Sequence, residues 1–229
     1  MRLIWRLIKM GGLAAGVCVI ITLLQAAALN FYNPSQTAWM RMRMREARSK
    51  GKVLEIKRTF VEIEKLPKWM QIVAVKAEDD GFYTHYGFDF EAMQKAYERN
   101  EKKGKIKRGG STITQQLAKN LYLYPKRSYW RKIREAVITG AMELTLSKKR
   151  ILELYLNYIE WGPGIFGVEE AAKYHFGIKA RQLNLEQSCR LAAIIPSPRR
   201  YKVYGDYVTR RAERLMRIVG GRQAEGIGH

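Results

Sequence analysis

The sequence predicts a mainly α fold, one helical domain carried behind a single membrane-spanning helix. Three observations predict it. Met10–Leu29 runs for twenty residues without a charge, enough to cross a hydrocarbon core of roughly 30 Å as a helix. Beyond residue 60, apolar residues recur at intervals of three and four in one segment after another. Only Val53–Ile63 alternates with the two-residue period of a strand. With 229 residues, 47% of them hydrophobic, the chain is long enough to bury one sizeable core.

Arg2, Arg6 and Lys9 precede the apolar span, so residues 1–9 read as a cytoplasmic tail, 10–29 as the anchor and the remainder as exported. Two features weigh against this. Ala26-Ala27-Ala28 resembles a signal-cleavage site, although the span exceeds an h-region of roughly 7–15 residues. Arg41, Arg43, Arg45, Arg48, Lys50 and Lys52 lie just beyond the span and weaken the charge asymmetry. Residues 30–52 read as a polar, basic connector, either simply solvated or touching anionic head groups at about 1 kcal/mol per basic residue.

The domain is expected over 53–220, with a flexible tail at 221–229. Pro67 suits the first turn of a helix, and Trp69, Ile72, Val73, Lys76 and Ala77 carry its period to an end near Glu78–Gly81. Further helices are predicted at Phe90–Glu101, Thr112–Tyr122 with Ser111 as cap, and Tyr129–Leu146. Four more follow: Lys148–Tyr158 opened by Ser147, Glu169–Phe176, Asn184–Ile195 and Asp206–Val219. Cys18 lies in the apolar span and Cys189 in the domain, so an intrachain disulfide is not expected; His85, His175 and His229 are too scattered for a zinc site.

The net charge of +21 attracts polyanions, whether nucleic acid, anionic lipid or phosphorylated substrates, and does not choose among them. Three clusters narrow the choice. In Glu78–Gly87 (EDDGFYTHYG), Glu78 falls at a helix C-terminus, where the macrodipole disfavours its ionised form. Asp79 and Asp80 add like charge, and Phe82 and Tyr83 can desolvate it; all three effects raise a carboxyl pKa toward acid–base use. The plain alternative is a frayed, solvated helix end. His85 alone reads as a structural histidine.

In Lys105–Asn120, Arg108-Gly109-Gly110-Ser111-Thr112 offers backbone N–H groups to an anion or sugar oxygen at a helix start. Gln115 and Lys119 share a face, with Gln116 beside them. In Lys126–Ala136, Lys132 and Glu135 share a face opposite the stripe Ile133, Val137, Ala141. The pattern reads either as a surface ion pair or as cations and a carboxylate set for a phosphate, with or without a bridging metal.

Together these clusters resemble glycosyltransferase family 51, the peptidoglycan glycosyltransferases. EDDGFYTHYG, RGGSTITQQLAKN (108–120), RKIREA (131–136), ILELYLN (151–157) with GPGIFGVEEAAKYHFG (162–177), and LAAIIPSP (191–198) match that family's motifs in order. The resemblance implies a lysozyme-like, mainly α glycosyltransferase domain with a smaller membrane-proximal lobe. It implies polymerisation of lipid II onto a lipid-linked glycan chain by β-1,4 bonds, with inversion and release of undecaprenyl diphosphate.

By the same resemblance Glu78 is the general base and Glu135 the second essential glutamate. Lys119, Arg127 and Lys132 contact the donor phosphates, and Lys95, Ser111, Gln115 and Gln116 bind substrate. Asp79, His85, Arg108, Thr112 and Asn120 support them, and a divalent cation (Mg²⁺ or Mn²⁺) can share the diphosphate. The expected partners are lipid II, the growing chain, membrane lipids and other peptidoglycan synthases or division proteins, not nucleic acid.

The implied location is the bacterial inner membrane, single-pass, with the domain on the periplasmic side. The chain length leaves no room for a transpeptidase domain, which implies a stand-alone member. Lys95 stands where many members have arginine, and Gln187, Ser188, Cys189 and Arg190 depart from the fifth region. Two rivals remain: a lysozyme-like hydrolase, which also centres on one glutamate, and a membrane-anchored polyanion binder.

Overall fold

A computed structural model describes residues 1–102, 110–125 and 128–226. Helix α1 (Arg2–Ala28) carries Arg2, Arg6 and Lys9 in its first turns, is uncharged from Met10 on, and leaves Leu13, Ile20 and Leu24 exposed, as a helix facing hydrocarbon would. Its last turn is different. Ala26 and Leu29 are buried in the domain core. Arg150 donates to the Leu29 carbonyl from Nε at 2.8 Å and from Nη2 at 2.6 Å, placing a cation on the negative end of α1. Asn30 Nδ2 reaches the Thr145 carbonyl at 2.9 Å. The anchor is therefore docked on the domain and not merely joined to it.

The 30–52 connector is corrected by the structure: it contains helix α2 (Ala38–Arg48), built into the domain. Thr37 caps it, accepting from the Met40 N–H, and Ala38 and Met40 are buried. The strand expected at 53–63 shrinks to β1 (Lys57–Arg58), the edge of a small sheet ordered β1-β3-β2. Helix α3 (Lys68–Glu78) begins after Pro67, and α4 spans Phe90–Lys102. Helix α5 (Ile113–Tyr122) is capped by Thr112 rather than by Ser111, because Thr112 and Gln115 close a reciprocal capping box.

Helix α6 (Tyr129–Thr145) packs along both α1 and α5. Helix α7 (Lys148–Tyr158), capped by Ser147, is buried from Ile151 to Tyr158 and forms the centre of the core. Asn157 explains the asparagine of ILELYLN. Its amide pairs with Val61 as a strand neighbour would, accepting from the N–H and donating to the C=O, both at 2.8 Å. Strands β2 (Glu160–Gly162) and β3 (Ile165–Phe166) follow, then α8 (Val168–Phe176), α9 (Leu185–Ile194) and α10 (Asp206–Gly226). Residues 221–226 are thus helical, not a loose tail; 227–229 lie outside the described residues. Helix α9 packs between α3 and α10.

Arg190, one of the four departures in the fifth region, ties α9 to the end of the chain. It bonds the Val203 carbonyl and Thr209 Oγ1 and stacks over Tyr204. Gln187 closes a capping box with Asn184, Ser188 bonds the Asn184 carbonyl, and Cys189 is buried with its thiol pushed up to about 12. These residues pack and bond within the domain.

The stripe predicted on α6 divides, with Ala141 buried and Ile133 and Val137 facing outward. On α6 the charged Glu135 is 3% exposed, while Trp130 is 75% exposed and Ile133, Val137 and Leu144 follow it on the outside. An apolar stripe turned outward beside an anchor helix is the pattern of a surface that meets lipid.

Candidate active site

The loop after α3 is folded by Asp79. Its Oδ2 accepts from the Ile113 N–H at 2.9 Å, satisfying a donor at the start of α5, and its Oδ1 meets His85 Nε2 at 2.8 Å. His85 Nδ1 accepts from the Gly87 N–H at 3.1 Å, so the proton of the neutral ring sits on Nε2 and is given to Asp79. Thr112 Oγ1 then donates to the Gly87 carbonyl at 2.7 Å. The first two motifs are thus one hydrogen-bonded unit. Gly87 is needed in it: its φ is +81°, and a Cβ there would meet Thr139 at 2.7 Å and Glu143 at 2.9 Å.

Removing Asp79 leaves the Ile113 N–H and the His85 ring without their acceptor. We expect Asp79→Ala to cost about 1–3 kcal/mol of unfolding free energy, read by denaturant titration.

Glu78 is the last residue of α3, and both of its oxygens receive donors. Gln116 Nε2 reaches Oε2 at 3.2 Å, and Arg211 Nη2 reaches Oε1 at 3.1 Å while also bonding the Ala77 carbonyl. Tyr155, buried in α7, donates from its hydroxyl to Gln116 Oε1 at 3.2 Å and so turns the amide N–H₂ toward Glu78. Burial raises the Tyr155 pKa well above the ordinary value, which keeps that donor protonated.

Burial also raises the Glu78 pKa; Arg211, Gln116 and Lys119 pull it back without cancelling the rise. The expected cause is corrected here in part. Asp80 points away, paired with Lys76, and Tyr83 is exposed, so neither crowds nor covers Glu78.

Lys119, one turn beyond Gln116, lies in the fields of both Glu78 and Glu135. Burial lowers its pKa, and Arg131 and Lys132 push the same way, while the two glutamates act against them. Its Nζ sits 5.6 Å from the centroid of the Trp39 ring. Glu135 is buried with Arg131 on Oε2 at 2.7 Å and Lys132 on Oε1. A cleft of about 570 Å³ runs along this face, walled by Gln116, Lys119 and Asn120 of α5, Trp39 and Arg43 of α2, Glu160, and residues 195–200.

The remaining predicted residues divide. Asn120 lines the cleft while bonding the Gln116 carbonyl within α5. Gln115 is buried, with its side-chain oxygen held by the Thr112 N–H, so it builds the helix start. Ser111 is half-buried just before that cap. Lys95 sits on the exposed face of α4, paired with Glu91. Arg108 and Arg127 lie outside the described residues.

Sequence reasoning missed Arg211, Trp39 and Tyr155. Arg211 belongs to a helix rich in arginine, where nothing marks one from another. Trp39 is a lone aromatic in a basic segment, and that was a usable signal.

No ready divalent-metal site is formed by the described side chains. Both oxygens of Glu135 are held by cations, and a hard cation needs about six oxygen ligands. Asp79, His85 and Asp89 have metal-like spacing, but the His85 lone pair is taken by Gly87 and Asp89 caps α4 through the Ala92 N–H.

Comparison with known proteins bears on this constellation. Residues 25–221 match the family model described as Transglycosylase. A biosynthetic peptidoglycan transglycosylase of Azoarcus sp. is 42% identical over 220 residues, which cover 94% of this chain and 95% of the relative. Proteins of the same description from Nitrosospira multiformis and Aromatoleum aromaticum are 48% identical over 172 residues and 45% identical over 185. They cover 75% and 80% of this chain, and the same shares of themselves.

Proposed function

The chain belongs to the transglycosylase family, and from that membership and the cleft's geometry we infer that it is a peptidoglycan glycosyltransferase lengthening glycan chains from lipid II. The observation that carries the mechanism is the pairing of one buried, pKa-raised carboxylate with a separate cationic group around Glu135. Glu78 acts as general base. It takes the proton of the acceptor's sugar 4-hydroxyl as that oxygen bonds to the donor's anomeric carbon, and the C–O bond to the diphosphate breaks with inversion.

A base must be ionised at working pH yet hold a proton well, which a carboxyl raised by burial and restrained by Arg211 does. Gln116, oriented by Tyr155, and Arg211 hold the carboxylate in place.

The leaving diphosphate gathers negative charge, and Lys119, Arg131 and Lys132 stand ready for it in a site already organised before reaction. Glu135 positions Arg131 and Lys132 and does not itself move a proton. Were Mg²⁺ to take part, the described side chains would leave it to be held mainly by the substrate's diphosphate, where it would offset the developing negative charge beside Lys119 and Lys132. The outward stripe of α6 and the docked α1 hold the domain against the membrane, on the periplasmic side of a bacterial inner membrane. The mainly α domain is the lysozyme-like fold of the family.

Labelled lipid II and isolated sacculi, offered to the full-length protein, test this reading. Polymer from lipid II is expected; muropeptide release without polymer would overturn it. With EDTA present, polymerisation is expected to persist at a measurable rate, and its complete loss would require a bound ion.

A further inference from the structure

The three cations offered to the diphosphate are not held alike. Glu135 takes Arg131 and Lys132 directly, one on each oxygen. Lys119 has no such partner: among the described residues no carboxylate stands within ion-pair distance of its Nζ, and no hydrogen bond fixes it. What the ammonium meets is a ring. Nζ lies 5.6 Å from the centroid of Trp39, inside the roughly 6 Å over which an aromatic face attracts a cation. Indole attracts a cation more strongly than the other aromatic rings do, and the attraction grows where water is thin, as it is around half-buried Lys119.

Trp39 is itself fixed. Its Nε1 donates to Glu160 Oε2 at 3.2 Å, and Arg43 Nε donates to the same oxygen at 2.7 Å. Arg43 also lies 5.1 Å from the centroid of the Trp39 ring, so the indole is tied at its edge and carries two cations. Glu160 is buried in β2, and Trp39 and Arg43 stand one turn apart on α2. Trp39 and Lys119 both wall the 570 Å³ cleft.

Charged groups reach Lys119 from each element around it. Glu78 acts from α3, and Glu135, Arg131 and Lys132 act from α6. Arg43 and Glu160 stand behind the ring, and Arg199 and Arg200 belong to the cleft wall; Tyr155 of α7 stays protonated. Burial, Arg131 and Lys132 favour loss of the ammonium's proton, and the two glutamates oppose it. The ring adds to the opposing side in a particular way. A carboxylate in its place would hold the ammonium but also neutralise it, whereas a ring face attracts the charge and leaves the N–H groups free for phosphate.

We propose that Trp39 is a positioning residue for the leaving diphosphate: fixed by Glu160, its ring holds the Lys119 ammonium at the cleft wall with the full charge still on offer. The identity of the phosphate rests on the function proposed above; the contact between ring and ammonium does not. Helix α2, lying between the anchor and the first motif, then serves the reaction as well as the fold.

Nonsense suppression places tryptophans with one, two and three ring fluorines at position 39 of the full-length protein, which drains the ring face of charge while keeping its shape and N–H. Trace acetylation with acetic anhydride, read by mass spectrometry on the Lys119 peptide, titrates that amine without any turnover. Its apparent pKa should fall with each added fluorine, and by about one pH unit in Trp39→Leu. The alkaline limb of kcat/KM for lipid II should move down in step; arginine does not titrate there, so Arg43 on the same ring leaves the limb alone.

At neutral pH, Trp39→Leu should lower kcat/KM about 10-fold, and Trp39→Phe, which keeps a ring but gives up the Glu160 bond, should stay within about 3-fold of wild type. A Lys119 titration indifferent to fluorination overturns the proposal. So does Trp39→Phe falling as far as Trp39→Leu, which would assign Trp39 to its Glu160 bond alone. Wild-type protein that makes no polymer defeats the function, while the acetylation series still decides the contact between ring and ammonium.

Discussion

Glu78→Gln protein is expected to bind membranes and fold as the wild type does while losing polymerisation by about 10²–10⁴-fold, the range that a positioned acid or base supplies. Glutamine keeps the shape and can still face Gln116 and Arg211, but it has no basic oxygen for the acceptor's proton. The same variant carries a stability signature of opposite sign. Because the folded-state pKa of Glu78 is raised, its contribution to stability is complete below the unfolded value and is lost as pH rises through the folded one.

Glutamine, which resembles the neutral acid, escapes that loss. Thermal melts should show the variant at least as stable as wild type at neutral pH, with the difference shrinking as pH falls and vanishing well below the unfolded glutamate pKa of about 4.3, where the carboxyl is protonated in both states. Wild-type turnover in the variant would remove Glu78 from the role of base.

Arg211→Met should act on the same carboxylate from the other side. Arg211 is the largest of the influences that restrain the Glu78 pKa, and it donates directly to Oε1. Losing it drives that pKa further up, so the acidic limb of kcat/KM moves to higher pH. At neutral pH, kcat/KM should fall about 10- to 100-fold, matching the roughly 1.5–3 kcal/mol typical of a charged hydrogen bond. Activity should recover in part as pH is raised, and Arg211→Lys should lie between. A uniform loss across pH would mean that Arg211 only props α10 against α3.

The helices of this fold were legible because caps and periods agree: Ser147 and Asn184 sit where their hydroxyl and amide oxygens accept from the third residue on. Glu78 and the 131–135 cluster were legible as chemistry only once their motifs stood together. What was hidden depended on partners distant in sequence.

The run Trp39–Glu46 alternates methionine and arginine like a strand, although the Thr37 cap and the helix-favouring Ala, Met, Arg and Glu were local signals of a helix. What was not legible was its partner: Glu160, far along the chain, binds Trp39 and Arg43 one turn apart and fixes the helix on the domain. Helix α6 shows the limit of amphipathicity: the pattern locates two faces but does not say which is buried, and here Ile133 and Val137 face outward while Glu135 is buried. Ser111 lost the cap to Thr112 because only Thr112 stands three residues before a glutamine that can return the bond.

The docking of α1 has a mechanical consequence. With Arg150 clasping Leu29 and Asn30 fastened to Thr145, the domain has no tether on which to rise, pivot or reach. Any tilt of the domain must therefore carry the end of α1 with it, so helix and domain turn as one piece.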